Sequence, residues 1–357
     1  MKINTIIMAG GKGERFWPQS TSAFPKQFSA IISEKTMLEE TFNRHVHISG
    51  HDSIYISTGR HYRHLVEKLF PAMPREKIIC EPCGRDTAAA VLFSVMSAPG
   101  SENDMFLFVP ADHYINGLEQ YTEDVHDAAA AAQRLNKIVL IGIKPTLPSP
   151  NYGYIHTDNS DLSSEKIQHI LEFKEKPSCE VAEKWLAGGG YYWNSGMFIF
   201  SRKVLMKAFI EYSPAHINLL NDYFSAVSGN NLHADTIFAK IPSISFDYAV
   251  LEKCSGNFCL PASFVWDDVG SWNALPRILG KDKKNNCIKG AACVWNSENV
   301  TVSGQEDVFI VVNGVSGINI IKNGKFFYVC NKNNESDIKK ILPLLREGAF
   351  GLDNSEI

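Results

Sequence analysis

The residues best suited to chemistry lie near the start of the chain. A glycine-rich run, Ala9-Gly10-Gly11-Lys12-Gly13-Glu14-Arg15, follows an apolar stretch that ends at Met8. Glycine lets backbone N–H groups approach an anion closely, because no Cβ stands in the way. Two cations, Arg15 and Lys26, follow the turn and can neutralise a polyphosphate. The pattern therefore predicts a phosphate-binding loop.

This run differs from two better-known phosphate-binding motifs. It lacks the G-x-x-x-x-G-K-[ST] pattern of a Walker A loop. It also lacks the third glycine of the dinucleotide fingerprint, because Phe16 stands at that position. The missing third glycine disfavours a nicotinamide-dependent dehydrogenase.

Two acidic segments far apart in the chain are candidates for a metal site. Asp112 ends the apolar run that begins at Phe106, and Asp267 and Asp268 lie in Trp266–Trp272. Mg²⁺ takes hard oxygen ligands and completes its shell with phosphates and waters, so one Asp from each segment suffices. The alternatives are that Asp112 caps a helix or turn, and that Asp267 has a structural role.

The segment Glu81–Ala90 suits recognition of a nucleobase. A guanine presents N1–H and N2–H₂ donors along one edge, and a carboxylate accepts both. Asp86 could provide that carboxylate, and the small residues after it would let the helix pack close to the nucleotide. The alternative is that Asp86 or Thr87 is simply the N-cap of the helix.

A third group of segments suits a sugar phosphate. Glu175 and Lys176 lie in a short charged run, and Asn194 lies in an aromatic run, Tyr191–Met197. Carboxylate and amide groups bond sugar hydroxyls, aromatic rings cover the apolar face of a sugar, and lysine suits its phosphate. The charged run could instead be a solvated face.

Regular elements are needed to position these residues. Strand-like runs at 3–8, 54–57, 78–80, 105–109 and 139–143 alternate with helical patterns near 36–47, 60–70, 86–98 and 120–135. This alternation predicts an α/β fold: a Rossmann-like mixed, mainly parallel sheet with helices on both faces. Ligands of such sheets bind at the carboxyl ends of strands, where the glycine turn and Asp112 both lie.

Short β runs separated by Gly/Asn turns follow residue 285, and a last helix is predicted near 335–346. We therefore expect a catalytic domain over residues 1–285. A small β-rich, β-helix-like domain over residues 286–357 ends in that helix.

Composition limits the classes of protein to consider. The chain has 357 residues, 21% of them charged, and a formal net charge of −4, so no basic face for nucleic acid is expected. No apolar stretch is long enough for a membrane span, and no signal peptide is recognisable. The eight cysteines are expected to be reduced thiols in a cytoplasmic protein, since the lone C-x-x-C at Cys80–Cys83 is a weak metal or redox signal.

Together these segments resemble the mannose-1-phosphate guanylyltransferases, or GDP-mannose pyrophosphorylases, of the single-function type within the sugar-phosphate nucleotidylyltransferases. The similarity runs to about residue 275, and the β-rich remainder also fits. It rests on nine collinear segments: 8–18, 25–28, 81–90, 109–113, 152–155, 173–177, 193–200, 245–253 and 266–272. The resemblance implies transfer of GMP from GTP to α-D-mannose 1-phosphate, giving GDP-mannose and pyrophosphate. It also implies a Mg²⁺ cofactor and a homodimer, and the chain lacks the isomerase extension of two-function relatives, so no isomerase activity is expected.

The resemblance also implies roles for particular residues. Catalytic roles fall to Arg15, Lys26 and Asp112, and Asp112 and Asp268 hold the metal. The nucleotide-binding residues are Ala9, Gly10, Gly11, Gly13, Glu81, Gly84, Asp86 and Thr87. The sugar-phosphate-binding residues are Gly153, Glu175, Lys176, Asn194, Asp247 and Tyr248.

Two departures from the family pattern keep alternatives open. Asp86 stands where Asn is usual, and Pro150-Asn151 replaces the usual Thr-Gly before Tyr152. The second change leaves room for another sugar 1-phosphate, such as a heptose. An alternative of a different class is a non-catalytic GDP-sugar-binding regulatory subunit, which would be expected to lose Arg15, Lys26 or a metal-binding Asp.

Overall fold

The computed structural model describes residues 1–11, 13–158, 166–304 and 307–347, which form two compact units. The first unit contains Met1–Gly10, Phe42–Pro110 and the described residues of Ile115–Trp266. The second contains Gly11–Thr41, Ala111–Tyr114 and the described residues from Asp267 onwards. Each unit is therefore assembled from stretches that are distant in sequence.

The strands and helices of the described residues follow closely on one another. The strands are β1 Ile3–Met8, β2 Ile54–Gly59, β3 Ile78–Glu81, β4 Met105–Pro110, β5 Tyr114–Asn116, β6 Val139–Ile143, β7 Tyr154–Thr157, β8 Gln168–Lys174, β9 Tyr191–Ser201, β10 Phe258–Pro261, β11 Val265–Asp267, β12 Cys287–Lys289, β13 Ala292–Trp295, β14 Thr301–Ser303, β15 Ile310–Asn313, β16 Ile318–Asn323 and β17 Phe326–Asn331. The α-helices are α1 Met37–Ser49, α2 Arg63–Leu69, α3 Asp86–Ser97, α4 Leu118–Leu135, α5 Cys179–Gly188, α6 Arg202–Tyr212, α7 Pro214–Ser228, α8 Ala234–Phe238, α9 Leu275–Ile278 and α10 Ile338–Glu347.

The first unit is built on a nine-stranded sheet with the order β3-β2-β1-β4-β9-β6-β10-β8-β7. The strands β3, β2, β1 and β4 pair in parallel, and β10 pairs in parallel with β6. β9 is antiparallel to both β4 and β6, while β7 and β8 form an antiparallel hairpin at the other edge. The predicted mixed, mainly parallel α/β sheet is confirmed.

The two faces of the sheet bury different helices. Successive side chains of a strand point to opposite faces, so Phe106 and Phe108 share one face of β4. They belong to a core that includes residues of α3, α6, α7 and α8. On β9, the sulfur of Met197 instead accepts a hydrogen bond from the Tyr121 hydroxyl of α4, at 3.6 Å.

The second unit contains two small sheets, β12-β14-β16-β17 and β13-β15. From β12 to β16, successive strands belong to alternate sheets. Each strand pairs in parallel with the next strand but one, as in a β-helix. This strand-rich region and the helix α10 agree with the predicted fold class. The boundary at residue 285 stays a prediction about domains.

The hydrophobic core of the second unit joins its N-terminal and C-terminal stretches. Phe16 and Trp17 lie in one cluster with Trp272, Tyr328 and Leu342, all of them buried. The Phe16 and Trp272 ring centroids are 4.9 Å apart. The glycine-rich turn is thus supported by residues from the far end of the described chain. No helix among the described residues is long and apolar enough to cross a membrane.

Candidate active site

The glycine-rich turn of the second unit is shaped by a close contact with the backbone of Lys26. Gly13 has φ +63°, a left-handed conformation that favours glycine. A Cβ on Gly13 would lie 2.3 Å from the Cβ of Lys26 and 2.9 Å from its backbone nitrogen. The residue must therefore be glycine for the turn and Lys26 to adjoin as they do.

Two polar side chains hold the same turn in place. The amide Nε2 of the buried Gln27 donates to the carbonyl of Gly11 at 2.9 Å. The hydroxyl of Ser20 donates to the carbonyl of Gly13. Lys12, the residue between these carbonyls, lies outside the described residues.

The ammonium group of Lys26 is buried and makes three favourable contacts. It lies 2.9 Å from Oδ2 of Asp112, donates to the carbonyl of Asp268 at 3.1 Å, and stands 5.1 Å from the centroid of the Phe16 ring. The residue is only 4% exposed. A buried lysine requires such partners, because an unpaired charge in an apolar environment is costly.

Asp112 is held in its charged form. Desolvation opposes ionisation, but the charge of Lys26, the charge of His113 and the hydrogen bond from Lys26 outweigh it, so the pKa of Asp112 lies below its ordinary value. Its side chain remains one third exposed. Asp112 is therefore an ionised carboxylate that can still reach a ligand.

The turn Asp267–Gly270 has two adjacent acidic residues with different surroundings. Asp267 accepts a bidentate pair of hydrogen bonds from Arg277, at 2.6 and 3.0 Å, and another from the backbone of Val269. Asp268 lines a pocket, and its carboxylate would lie 2.7 Å from any Cβ placed on Gly270. Asp267 thus shapes the turn while Asp268 faces the pocket.

That turn is also strained at its centre. Val269 is fully buried and has φ +47°, a conformation that a β-branched side chain rarely adopts. Such residues persist only where their surroundings hold them, and they cluster at functional sites. The ion pair between Arg277 and Asp267 helps to hold Val269 in this conformation.

Five of the sequence-predicted residues line a single open pocket of about 380 Å³ in the second unit. They are Gly13, Arg15, Lys26, Asp112 and Asp268. Arg15 also approaches the turn, with a 3.5 Å contact from its guanidinium to the carbonyl of Gly270. The two predicted turns, one after β1 and one after β4, therefore contribute to the same pocket.

The donor set of this pocket fits a magnesium ion. Three carboxylates line it, those of Glu14 and of the two predicted ligands Asp112 and Asp268, and no group of three or more His, Cys, Asp or Glu that could hold a metal occurs in the described part of the chain. Mg²⁺ is typically bound by one or two carboxylates together with substrate phosphates and waters, not by an all-protein cage. Asp112 and Asp268 supply that number of hard oxygen ligands.

Apart from Gly11, the remaining predicted residues belong to the first unit. The backbone N–H of Ala9 donates to Ser57 and its carbonyl accepts from the Thr58 hydroxyl, so both groups are already paired. A Cβ on Gly10 or Gly84 would meet no described atom within 4 Å, so both glycines have open surroundings.

The segment Glu81–Ala90, which the sequence predicts to recognise a nucleobase, carries two carboxyl groups in different surroundings. Glu81 is 7% exposed, and its Oε1 has no hydrogen-bond partner among the described residues. Burial, together with the nearby charge of Asp86, raises the pKa of Glu81 to about 8, so Glu81 is mainly protonated at neutral pH. Asp86 has φ +62° and accepts from the backbone N–H of Thr87 at 2.7 Å, but the N-cap of α3 is Arg85, so the capping alternative is wrong for both Asp86 and Thr87.

The Thr87 hydroxyl connects the base segment to the segment that carries Asp247. It accepts a hydrogen bond from the backbone N–H of Phe246 at 2.8 Å. The backbone N–H of Ala88 donates to the carbonyl of Ile244 at 3.2 Å. The start of α3 is therefore fixed to the chain directly before Asp247.

The predicted sugar-side residues come together because β7 pairs with both β8 and β9. A Cβ on Gly153 would lie 2.4 Å from Oε2 of Glu175, and the backbone N–H of Asn194 donates to Gly153 at 2.8 Å. The Asn194 amide donates to Asp247 at 2.8 Å, and Lys176 lies 2.6 Å from Oε1 of Glu175. Five residues from four segments thus form one polar cluster.

The polar cluster has two further features, a raised pKa at Asp247 and a pair of packed aromatic rings nearby. Burial and the charge of Glu175 raise the pKa of Asp247 to about 6. Tyr248, the next residue, is 45% exposed. The rings of Tyr152 and Trp193 pack with centroids 4.7 Å apart, but Trp193 is only 5% exposed, so an aromatic surface for a sugar beside Asn194 stays a prediction.

Sequence reasoning missed several supporting residues. Gln27, Ser20 and Arg277 hold the turns through hydrogen bonds that depend on tertiary contacts. Only Gln27 carried a local signal, since it directly follows Lys26. Arg277 follows Asp267 by ten residues, and no spacing rule singles it out.

Comparison with known proteins defines the class. A family model described as nucleotidyl transferase matches residues 4–285, and the chain belongs to this family. Within it, the mannose-1-phosphate guanylyltransferases of Klebsiella pneumoniae and Escherichia coli are 34% and 33% identical over 355 residues, which is 96% of this chain and 74% of each relative. The crystal structure of mannose-1-phosphate geranyltransferase from Thermus thermophilus is 31% identical, with a TM-score of 0.86 over 97% of this chain and 100% of that one. The resemblance predicted from the motifs is confirmed.

Proposed function

We propose that this chain transfers GMP from GTP to α-D-mannose 1-phosphate, giving GDP-mannose and pyrophosphate. The observation that carries the proposal is the pocket in which Lys26, Asp112 and Asp268 meet beside the glycine-rich turn. That arrangement suits charge neutralisation on a polyphosphate, and the chain belongs to the nucleotidyl transferase family. Relatives named mannose-1-phosphate guanylyltransferase support the choice of base and sugar.

The chemistry requires positioning and positive charge more than proton transfer. A phosphate oxygen of the sugar phosphate attacks the α-phosphorus in line and expels pyrophosphate. This nucleophile is already an anion, so no general base is needed. Arg15 and Lys26 stabilise the charge that develops on the phosphate oxygens, and the turn from Ala9 to Gly13 holds the triphosphate.

Asp112 and Asp268 are proposed to hold Mg²⁺. When bound, the ion supplies positive charge that neutralises the nucleotide phosphate. The ionised state of Asp112, maintained by Lys26, makes that residue a suitable oxygen ligand. The two hydrogen bonds from Arg277 to Asp267 keep the neighbouring Asp268 at the pocket.

The two groups of residues in the first unit are assigned to the base and the sugar. Glu81, Gly84, Asp86 and Thr87 are proposed to meet guanine. Gly153, Glu175 and Asn194 are proposed to contact the sugar hydroxyls and Lys176 the sugar phosphate, while Asp247 and Tyr248 line the sugar side. The contacts among Gly153, Glu175, Asn194 and Asp247 support the assignment of these residues to one ligand.

The test is a pyrophosphate-release assay with MgCl₂. GTP, ATP, UTP and dTTP are crossed with mannose, glucose and heptose 1-phosphates. Release confined to GTP with mannose 1-phosphate is the expected result. Release with GTP and another sugar would retain the mechanism and attribute the altered specificity to Pro150-Asn151. A folded protein that binds GTP or GDP-mannose without any release would be a regulatory subunit.

We further propose a cytoplasmic homodimer. Several large apolar side chains of the second unit are exposed, among them Trp295 at 71% and Val311 at 69%. Exposed apolar surface of this kind is typical of protein interfaces. Light scattering coupled to size-exclusion chromatography should give about twice the chain mass of 39.8 kDa, and a mass equal to one chain would rule the dimer out.

A further inference from the structure

The ammonium group of Lys26 contacts both residues that are proposed as metal ligands. Its nitrogen lies 2.9 Å from Oδ2 of Asp112 and donates to the backbone carbonyl of Asp268 at 3.1 Å. A divalent cation coordinated by Asp112 would draw on the same carboxylate. The lysine and the metal are therefore alternative positive partners for one negative group.

The backbone of Lys26 is held by the glycine turn, whereas its ammonium group lies at the far end of a long side chain. Gly13 packs on the Cβ and backbone of Lys26, so the main chain of that residue cannot shift without disturbing the glycine turn. The ammonium group, in contrast, is the far end of a flexible four-carbon stem with rotatable donors. It lines the same pocket as Gly13, Arg15 and Asp268.

We infer that Asp112 exchanges partners during the reaction cycle, giving up the ammonium of Lys26 when it takes a divalent cation. The released ammonium then turns from Asp112 toward the phosphates in the same pocket. This inference rests on the proposed function, and it adds that metal binding and the availability of Lys26 are thermodynamically coupled.

The coupling has an unusual consequence for a lysine that assists catalysis. Because Lys26 and the metal compete for Asp112, removing the lysine should tighten metal binding while it lowers turnover. Linkage requires the reverse as well: bound metal should make Lys26 easier to reach from solvent. The second effect does not follow from a lysine that serves only as a fixed structural ion pair.

The first experiment titrates Mn²⁺ into the nucleotide-free protein and follows free Mn²⁺ by electron paramagnetic resonance. Lys26→Gln removes the competing ammonium, and Lys339→Gln is the matched control. Lys339 lines the same pocket and is exposed, so that variant removes the same charge without touching Asp112. The expected result is a Kd for Mn²⁺ about fivefold or more lower in Lys26→Gln, with a change under about twofold in Lys339→Gln.

The inference is overturned if Lys26→Gln binds Mn²⁺ no more tightly than Lys339→Gln. Failure of the proposed metal site is separate: Asp112→Asn would then bind Mn²⁺ as well as the wild type in the presence of GTP. Weak binding by Asp112→Asn together with equal binding by the two lysine variants would retain the site and reject the exchange.

A second measurement needs no variant, because removing a buried lysine can prevent folding. The wild-type protein is acetylated briefly with and without MgCl₂ at matched ionic strength, and labelling is quantified by mass spectrometry. The ratio of labelling at Lys26 to that at Lys339 should rise about fivefold or more with Mg²⁺. An unchanged ratio would contradict the release of Lys26.

Discussion

Asp112 and Glu81 show how the same chemical group acquires opposite properties from its surroundings. Partial or full burial disfavours the charged form of each. Asp112 has Lys26 within 2.9 Å and stays ionised, whereas Glu81 has the negative Asp86 nearby and holds a proton. Of these two carboxyl groups, the ionised one is therefore Asp112, which lies where phosphates and a metal are proposed to bind.

Asp112→Ala should nearly abolish turnover without unfolding the protein. The change removes one of two proposed metal ligands and leaves Lys26 without its carboxylate, so kcat should fall about 100-fold or more. Asp127→Ala, at an exposed position of α4, is the control and should keep wild-type activity. Pyrophosphate release and circular dichroism check both variants, and substantial turnover by a folded Asp112→Ala would disprove the metal assignment.

Glu81→Gln should change how stability depends on pH. The folded protein keeps the Glu81 proton up to about pH 8, while the unfolded chain loses it near the ordinary glutamate pKa of 4.5. Between these values the unfolded state binds fewer protons, so the free energy of unfolding falls as pH rises. Glutamine has no such proton, so the variant should gain on the order of 3 kcal/mol relative to wild type from pH 5 to pH 8.

Urea denaturation at the two pH values measures this difference. Asp86→Asn removes the neighbouring charge and should show a smaller change of the same sign. Parallel pH profiles for wild type and Glu81→Gln would mean that Glu81 is ionised in the folded protein.

Elements were predicted best where a run of apolar residues is buried on both sides. β1 and β6 have the predicted bounds, because strands within such a sheet form short, nearly continuous apolar runs. The antiparallel hairpin β7–β8 and its pairing with β9 were not predicted, because partner choice depends on residues far apart in the chain.

The same limit separates the predicted and unpredicted parts of the site. Gly13, Lys26 and Asp112 belong to short motifs that carry a chemical signature. Arg277 and the strained Val269 act only through the turn that they shape, and their sequence contexts resemble those of ordinary residues. Local patterns therefore show which groups can react, while tertiary contacts decide what holds them.

Gly13→Ala should damage the site far more than a comparable change elsewhere. The new Cβ would lie 2.3 Å from that of Lys26, and a shift of about 1 Å in a positioned group can cost about 100-fold in rate. Gly50→Ala is the matched control, since Gly50 also has positive φ, +70°, but has no described atom within 4 Å of its added Cβ.

We expect kcat to fall about tenfold or more in Gly13→Ala and to stay close to wild type in Gly50→Ala. Both variants carry the conformational cost of an alanine at positive φ, so urea denaturation should show some loss of stability in each. Equal activities would show that the contact between Gly13 and Lys26 has no part in positioning.

At the scale of the whole molecule, the second unit is discontinuous in sequence. Gly11–Thr41, Ala111–Tyr114 and the described residues after Asp267 share one set of contacts. Within it, Trp272 donates a hydrogen bond to the carbonyl of Trp17 at 3.3 Å, and Asn323 donates to the carbonyl of Pro18 at 2.8 Å. The β-rich stretch and α10 are thus part of the structure that supports the glycine-rich turn.

Leu342→Ala should therefore weaken stability and activity together. Leu342 is 1% exposed and lies in the cluster with Phe16 and Trp17, so truncation should cost about 2–5 kcal/mol. Leu344→Ala, on the same helix but 62% exposed, should cost less than about 0.5 kcal/mol. Urea denaturation and kcat measure both, and a stable but inactive Leu342→Ala would indicate a role other than packing.

The discontinuous second unit has a consequence for protein synthesis. Gly13, Arg15 and Lys26 leave the ribosome early, but Trp272, Tyr328 and Leu342, which complete the core beneath them, emerge much later. A nascent chain can already carry every proposed catalytic side chain while the turn that is proposed to hold the triphosphate is still unsupported. A product of translation that stops before the last helix should therefore carry these side chains but lack the folded core that positions them.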